Sequence, residues 1–282
     1  MGFESCHPAV NFLFFAGVLY GAAAFTHPVF LAIAWASAFA YSLRRGRRAL
    51  CNLLLLPLAV LFALAYAGSH HFGVTMLGRN FIGNDLTVES FVSGLVLGLR
   101  GATVWMWLEC LFSVVTGDKI VYLLGRVSPL LSLGATLTLR FLPRLREQAR
   151  RLQLARRGIG RGAGLKNSLA IFSALITWTI QALGLEADAM RSRGSLLRGR
   201  TAFSIYRFDN RDRAFVVALC TCATLTAMGA ILGSTRMYCN PKILWHAPHP
   251  LPTLAYTTLC LLPLIQELAT SHKFKRQRES VG

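Results

Sequence analysis

The chain has 282 residues and a formal net charge of +18, with a hydrophobic fraction of 54% and only 15% charged residues. Soluble domains carry about 25% charged residues, and disordered chains are poor in hydrophobic residues, so the composition excludes both classes. A disulfide-rich secreted scaffold would be short and dense in cysteine, whereas this long chain has seven cysteines. The class that remains is a basic membrane protein with several spans.

Six apolar runs predict the membrane-spanning part. A helix needs about 20 residues to cross the hydrocarbon layer, and the runs approach or reach that length. In chain order they cover residues 9–25, 29–43, 50–67, 90–115, 214–232 and 251–269. The first two are separated only by Thr26-His27-Pro28 and form a predicted hairpin. The fold class is therefore an all-α, polytopic membrane helix bundle.

The distribution of basic residues sets the predicted orientation, because Lys and Arg accumulate in cytoplasmic loops. If the six runs cross in turn, every strongly basic segment falls on one side of the membrane. These segments are the arginines at 44–48, the part of the chain between the fourth and fifth runs (the middle block), and the C-terminal segment. The loops 69–90 and 234–250 then lie outside and carry only Arg79, Arg236 and Lys242. We therefore expect a multi-pass protein of the cell membrane with both termini in the cytoplasm.

Two further apolar segments, 120–142 and 169–185, lie inside the basic middle block. If both crossed the membrane, the basic stretch 144–166 would lie outside, against the charge rule. If only the second crossed, one of its basic flanks would be on the wrong side. We predict instead that both are helices at the cytoplasmic interface. Gly125 and Pro129 favour a broken helix in the first of them.

The middle block concentrates the positive charge. Between Arg140 and Arg213 there are sixteen basic residues against five acidic ones. We accordingly divide the chain into N-terminal transmembrane helices at 1–115, a cytoplasmic module of long interfacial helices at 116–211, and C-terminal transmembrane helices with a basic tail at 212–282. Because the charge follows the topology rule and alternates with apolar helices, nucleic-acid binding is not expected.

Two similar helix ends stand out in this block: Ala155-Arg156-Arg157-Gly158 and Ser192-Arg193-Gly194. Each follows a helical pattern, and Asn167 or Ser168 is the predicted N-cap of the second helix. A glycine after a helix can adopt the left-handed C′ conformation, and an arginine there lies near the negative end of the helix dipole. Two fixed guanidinium groups suit carboxylates or backbone carbonyls on partner proteins.

At these motifs the sequence resembles the transmembrane T component of energy-coupling factor (ECF) transporters, the CbiQ/EcfT-like family. That family has Ala-Arg-Gly-type motifs at the ends of two cytoplasmic coupling helices. Here Arg156 and Ser192 replace the leading alanine. The resemblance extends over about residues 5–235, and it is supported by His7-Pro8, His27-Pro28, the segment 139–143 (Leu-Arg-Phe-Leu-Pro) and the segment 187–190 (Ala-Asp-Ala-Met).

The resemblance implies a function in transport. A T component is not an enzyme: it holds two ABC-type ATPase subunits and a membrane-embedded S component, which binds a vitamin or a transition-metal ion. ATP is bound by the partner subunits, so no cofactor is expected in this chain. Arg157 and Arg193 are the expected docking anchors, and the full expected ATPase-docking set is Ala155, Arg156, Arg157, Gly158, Ser192, Arg193 and Gly194.

Two other functions remain as alternatives. An integral membrane enzyme acting on anionic lipid headgroups could use the arginines as phosphate ligands. A secondary transporter acting alone would be expected to show inverted repeats and broken helices. Arg100 and Glu109 lie in an apolar run, where charge often marks function, although snorkelling or a structural partner elsewhere is the preferred interpretation. His70-His71 and His246-x-x-His249 do not form a convincing metal site, and we predict neither catalytic nor metal-ligating residues.

Overall fold

The structure is a computed structural model that describes residues 3–45, 52–70, 72–79, 85–160, 164–194, 206–239, 242–244 and 247–279. Within these residues the chain forms nine α-helices, a short 3-10 helix at Phe3–Ser5 and one two-stranded antiparallel sheet. The helices are α1 (Pro8–Ala24), α2 (Pro28–Arg44), α3 (Leu55–Ser69), α4 (Val88–Val114), α5 (Gly117–Val127), α6 (Pro129–Gly158), α7 (Leu165–Ser192), α8 (Asn210–Ile231) and α9 (Pro250–Glu279). The strands are β1 (Met76–Arg79) and β2 (Asp85–Thr87).

Proline sets the start of several helices. Pro8, Pro28 and Pro129 occupy the first turns of α1, α2 and α6, where the missing N–H is not needed. His7 and His27 act as N-caps, because their Nδ1 atoms accept hydrogen bonds from the backbone two residues on, at 3.2 and 3.3 Å. The two His-Pro pairs therefore have a local structural role.

The chain divides into two compact units, residues 1–116 with 206–282 and residues 117–205. The first unit contains α1–α4, α8 and α9 around an aromatic core. Phe14 and Phe15 of α1 contact Trp107 of α4 edge to face, with ring centroids 5.9 and 6.3 Å apart. Tyr256 of α9 lies 5.6 Å from Phe30 of α2. Such pairs stabilise the bundle beyond their buried area.

Polar contacts define the two ends of this first unit. At one end, Arg44 at the end of α2 pairs with Glu267 of α9 at 3.5 Å. The backbone N–H of His7 there donates to the buried Asp212 at the start of α8, at 3.3 Å. At the other end, the loop between α1 and α2 pairs with the segment after α8, since the Thr26 N–H donates to the Thr235 carbonyl at 3.1 Å. We call these the termini end and the Thr26 end.

The predicted runs correspond to helices, with differences in length. Of the six predicted spans, α4, α8 and residues 250–271 of α9 are long and apolar enough to cross a membrane, whereas α1, α2 and α3 are apolar helices of 15–17 residues. Helix α7 is also long and apolar enough to cross a membrane, whereas its basic flanks predict a position at the interface. The small sheet between α3 and α4 was not predicted.

The second unit comprises α5, α6 and α7. The predicted break near Pro129 is confirmed, because α5 ends at Val127 and α6 begins at Pro129. Helix α5 folds back along the first half of α6: Gly125 lies near Ser132, and Gly117 lies near Leu139. Neither α6 nor α7 contains a buried residue. Of the predicted basic positions, Arg47, Arg48, Arg161, Arg198 and Arg200 lie outside the described residues.

Candidate functional site: two arginine-bearing helix ends

The first candidate site is the last turn of α6. Ala155, Arg156, Arg157 and Gly158 all lie within the helix, and Ile159 is its C-cap. The left-handed residue is Gly160, with a φ of 75°, and its N–H donates to the Arg157 carbonyl at 3.0 Å. The prediction that Gly158 takes this conformation is therefore wrong. Gly158 is the last helical residue, and the glycine two residues later supplies the left-handed turn that follows the helix.

The second candidate site is the end of α7. Ser192 is the last helical residue, Arg193 is the C-cap, and Gly194 has a φ of 73°. The Gly194 N–H donates to the Arg191 carbonyl at 3.0 Å. The predicted left-handed conformation of Gly194 is confirmed, and it has the same local geometry as Gly160 at the first end.

The two arginines occupy different positions relative to the left-handed glycine that follows each helix. When Gly160 is matched with Gly194, Arg157 corresponds to Arg191, and Arg193 corresponds to Ile159. Arg157 thus lies inside the last turn, whereas Arg193 lies just beyond the last turn. The second glycine of the sequence Arg157-Gly158-Ile159-Gly160 is the signal that would have located the first stop.

Helices α6 and α7 form an antiparallel hairpin. Near the loop, Arg156 Nη1 donates to Asn167 Oδ1 at 3.0 Å. Phe141 stacks on Trp178 at 5.7 Å. Farther from the loop, Glu186 pairs with Arg144 at 3.2 Å. Since α7 has 28 residues and rises 1.5 Å per residue, the helix ends at Gly158 and Ser192 lie about 40 Å apart, at opposite ends of the hairpin.

The hairpin contacts change the interpretation of two predicted residues. The N-cap of α7 is Gly164, without a side-chain hydrogen bond, so the prediction of Asn167 or Ser168 as N-cap is wrong. Asn167 is the third residue of α7, and its side chain accepts from Arg156 instead. Arg156 is half-buried by this contact. Arg156 therefore joins α6 to α7, whereas the two other arginines of the motifs do not.

Arg157 and Arg193 differ from Arg156 in their surroundings. Both side chains are exposed, and within the described residues neither makes a side-chain hydrogen bond or an ion pair. Arg191, in contrast, pairs with Asp188 at 3.7 Å. A guanidinium group has five N–H donors in a fixed planar arrangement, so Arg157 and Arg193 keep all of them available to another molecule.

The two ends differ in charge. Segment 147–158 has four arginines and one glutamate, a balance of +3, whereas segment 181–193 has two arginines and two carboxylates, a balance of zero. Arg151 pairs with Glu147 at 3.2 Å on an exposed face. The first end therefore carries a net positive charge, whereas the second end is electrically balanced.

An apolar stripe follows the exposed side of α7. Its six members recur at intervals of three or four residues and are 44–85% exposed: Leu165, Leu169, Phe172, Ile176, Ile180 and Leu183. Ser173, Thr177 and Gln181 lie on a neighbouring face, while Asn167, Trp178 and Glu186 contact α6. One face of α7 thus packs on α6, and a separate apolar face is exposed.

The remaining residues that the sequence indicated as functional candidates are Arg100, Glu109 and the histidines in the loops. Arg100 donates to the Ala23 carbonyl at the end of α1, so it has a structural partner, which is one of the two predicted explanations. Glu109 is half-buried. His70 stacks on Tyr66 at 4.1 Å, whereas His71 and His246 lie outside the described residues. Among the residues that the structure describes, no group of three His, Cys, Asp or Glu side chains could hold a metal ion.

Comparison of the sequence with protein-family models and with curated proteins found no match.

Proposed function

We propose that this chain is the transmembrane T component of an ECF-type ABC importer. In this role it is a scaffold without ATPase activity, and it couples ATP hydrolysis by two partner ATPases to uptake of a vitamin or a transition-metal ion through an S component. The observation that carries the proposal is the pair of arginine-bearing helix ends on one hairpin, with the Arg157 and Arg193 side chains exposed and unpaired within the described residues.

The proposal requires that both ends lie on the same side of the membrane, and the hairpin supports this. If α7 crossed the bilayer, the antiparallel second half of α6 would lie beside it at the same depth. That half carries seven arginines between Arg140 and Arg157. An arginine at the centre of a spanning helix costs about 2.5–3.5 kcal/mol, so several of them together oppose insertion far more than the apolar stripe of α7 favours it.

A hairpin lying in the cytoplasmic interface avoids this cost. The apolar stripe of α7 can then face the hydrocarbon or a membrane-embedded partner, while the arginines of α6 remain in water. With the hairpin parallel to the membrane plane, the ends at Gly158 and Ser192 both face the cytoplasm, about 40 Å apart. That separation allows each end to contact a different ATPase subunit, and it leaves the stripe between them for the S component.

The test is co-purification from the native membrane in a mild detergent. The wild-type chain is expected to retain two ATPase subunits and to show ATP hydrolysis only when they are present. The combined variant Arg157→Glu and Arg193→Glu should lose them, because removing one partner of a desolvated charged contact costs about 2–5 kcal/mol. Reversing the charge adds repulsion at both ends.

The matched control reverses two exposed arginines outside both helix ends, Arg126→Glu on α5 and Arg146→Glu on α6. These side chains are exposed like Arg157 and Arg193, and the net charge changes by the same amount. The control variant should keep both ATPase subunits. If the variant with both ends reversed also keeps them, or if the control loses them equally, the assignment of the helix ends as docking sites is wrong.

A further inference from the structure

The α6–α7 hairpin exposes two faces that lie on opposite sides of it. Three residues of α6 contact α7: Phe141, Arg144 and Arg156. At about 100° per residue, Arg150, Leu154 and Arg157 project from the opposite side of α6, and all three are exposed. On α7, the exposed apolar stripe also lies away from the residues that contact α6. The hairpin therefore has an apolar side on α7 and a second exposed side on α6.

The exposed side of α6 near the first end combines a leucine with two arginines, and we call Arg150, Leu154 and Arg157 the outer patch. Leu154 is 57% exposed. Neither arginine makes a side-chain hydrogen bond or an ion pair within the described residues. The three residues follow the i, i+4, i+7 spacing by which a helix face enters a groove, and the two arginines lie about 10 Å apart along the helix.

The second end has different residues at the corresponding positions. Counted back from the left-handed glycine of each end, Leu154 corresponds to Asp188. Arg157 corresponds to Arg191, which forms an exposed ion pair with Asp188 at 3.7 Å. The second end thus neutralises its own charge at this place. A leucine accepts no hydrogen bond, so the first end keeps the Arg157 guanidinium group available beside an apolar side chain that is unfavourable in water.

The direction of the outer patch indicates which kind of molecule can reach it. If the apolar stripe of α7 faces the membrane, the outer patch faces away from it, across two helices that are together about 20 Å thick. Charges are screened beyond about 8 Å at physiological ionic strength, so anionic lipid headgroups attract these arginines little. The phosphate backbone of a nucleic acid would satisfy the arginines but leave Leu154 in water. An acidic protein surface with an apolar pocket satisfies both the leucine and the arginines.

We propose that the outer patch docks in an acidic groove of the ATPase subunit that binds the first end. Leu154 fills an apolar pocket in that groove, and Arg150 and Arg157 each donate to a carboxylate at its rim, with the two carboxylates about 10 Å apart. The buried leucine supplies most of the affinity, while the ionic contacts at the rim set the orientation and the association rate. This inference rests on the proposed function: it adds Leu154 and Arg150 to the docking residues and names the charge of the partner.

The test measures the Kd for rebinding of the ATPase subunits to the full chain in a mild detergent, after high salt has removed the subunits that co-purify with it. Leu154→Asp gives the first end the residue of the second end and should raise the Kd by about tenfold or more, because a carboxylate would have to enter the apolar pocket. Arg150→Gln should raise the Kd several-fold and reduce its dependence on salt, because one of two ionic contacts is lost. A photo-crosslinking amino acid at position 154 should capture an ATPase subunit.

Two matched controls make the same substitutions on α6 outside the outer patch, Leu142→Asp and Arg146→Gln. Leu142 is 43% exposed, and Arg146 is exposed as well, so both controls should leave the Kd within about twofold of wild type. Equal losses in the controls, or a Kd that Leu154→Asp leaves unchanged, would overturn this inference and leave the proposed function standing. The same holds if Arg150→Gln loses bound phosphatidylglycerol but keeps its ATPase affinity. A wild-type chain that binds no ATPase subunit would overturn both.

Discussion

The end of α6 offers a sharp test of which glycine ends the helix. Gly158 and Gly160 are two residues apart, and a Cβ atom at either position would meet nothing within 4 Å. Gly160 has a φ of 75°, whereas Gly158 is the last residue of the helix. Alanine at Gly160 should destabilise the helix end by about 1–2 kcal/mol, because left-handed backbone is unfavourable for residues with a Cβ. Alanine at Gly158 should stabilise it by up to about 1 kcal/mol.

The expected difference between the two variants is about 2 kcal/mol, which corresponds to a roughly 30-fold difference in the equilibrium for local opening. Amide hydrogen exchange of the last turn of α6, measured by mass spectrometry in detergent, reports this opening. Exchange should be slower than wild type in Gly158→Ala and faster in Gly160→Ala. The opposite order would mean that Gly158 is the left-handed residue, and the assignment of the helix stop would have to be abandoned.

Two further substitutions test contacts in the first unit, and both are read from thermal unfolding in detergent. Arg100→Lys keeps the positive charge in α4 but loses the guanidinium group that donates to the Ala23 carbonyl, so it should destabilise the protein by about 1 kcal/mol; an unchanged unfolding midpoint would show that the contact contributes nothing. Asp212→Ala removes the acceptor for the His7 N–H and half of a capping box, so a loss of about 1–2 kcal/mol is expected, whereas Arg213→Ala next to it should have little effect.

The helices could be predicted because their signals are local. Apolar runs of sufficient length and prolines such as Pro8, Pro28 and Pro129 fix where helices form and begin. The break before Pro129 was predictable for the same reason. The sequence also indicated the two helix ends as candidate sites, since arginine and glycine after a helical pattern are local features.

The features that were missed depend on contacts between distant residues or on a choice between equivalent local signals. The partner of Arg100 is a carbonyl 77 residues away, and no periodic pattern encodes that pairing. Asn167 was a reasonable N-cap by residue type, but the contact with Arg156 across the hairpin places it inside α7. At the end of α6, Gly158 and Gly160 were both suitable, and only the backbone geometry distinguishes them.

Few internal contacts hold the two helices of the α6–α7 hairpin in one relative position. Neither helix contains a buried residue, so no apolar core fixes the angle between them. The Glu186 carboxylate joins Arg140 and Arg144 through partly exposed pairs at 3.9 and 3.2 Å, each worth about 1 kcal/mol or less. Relative motion of the two helix ends would therefore cost little within the hairpin, whereas a comparable motion inside the aromatic core of the first unit would disrupt buried contacts such as that of Trp107 with Phe14.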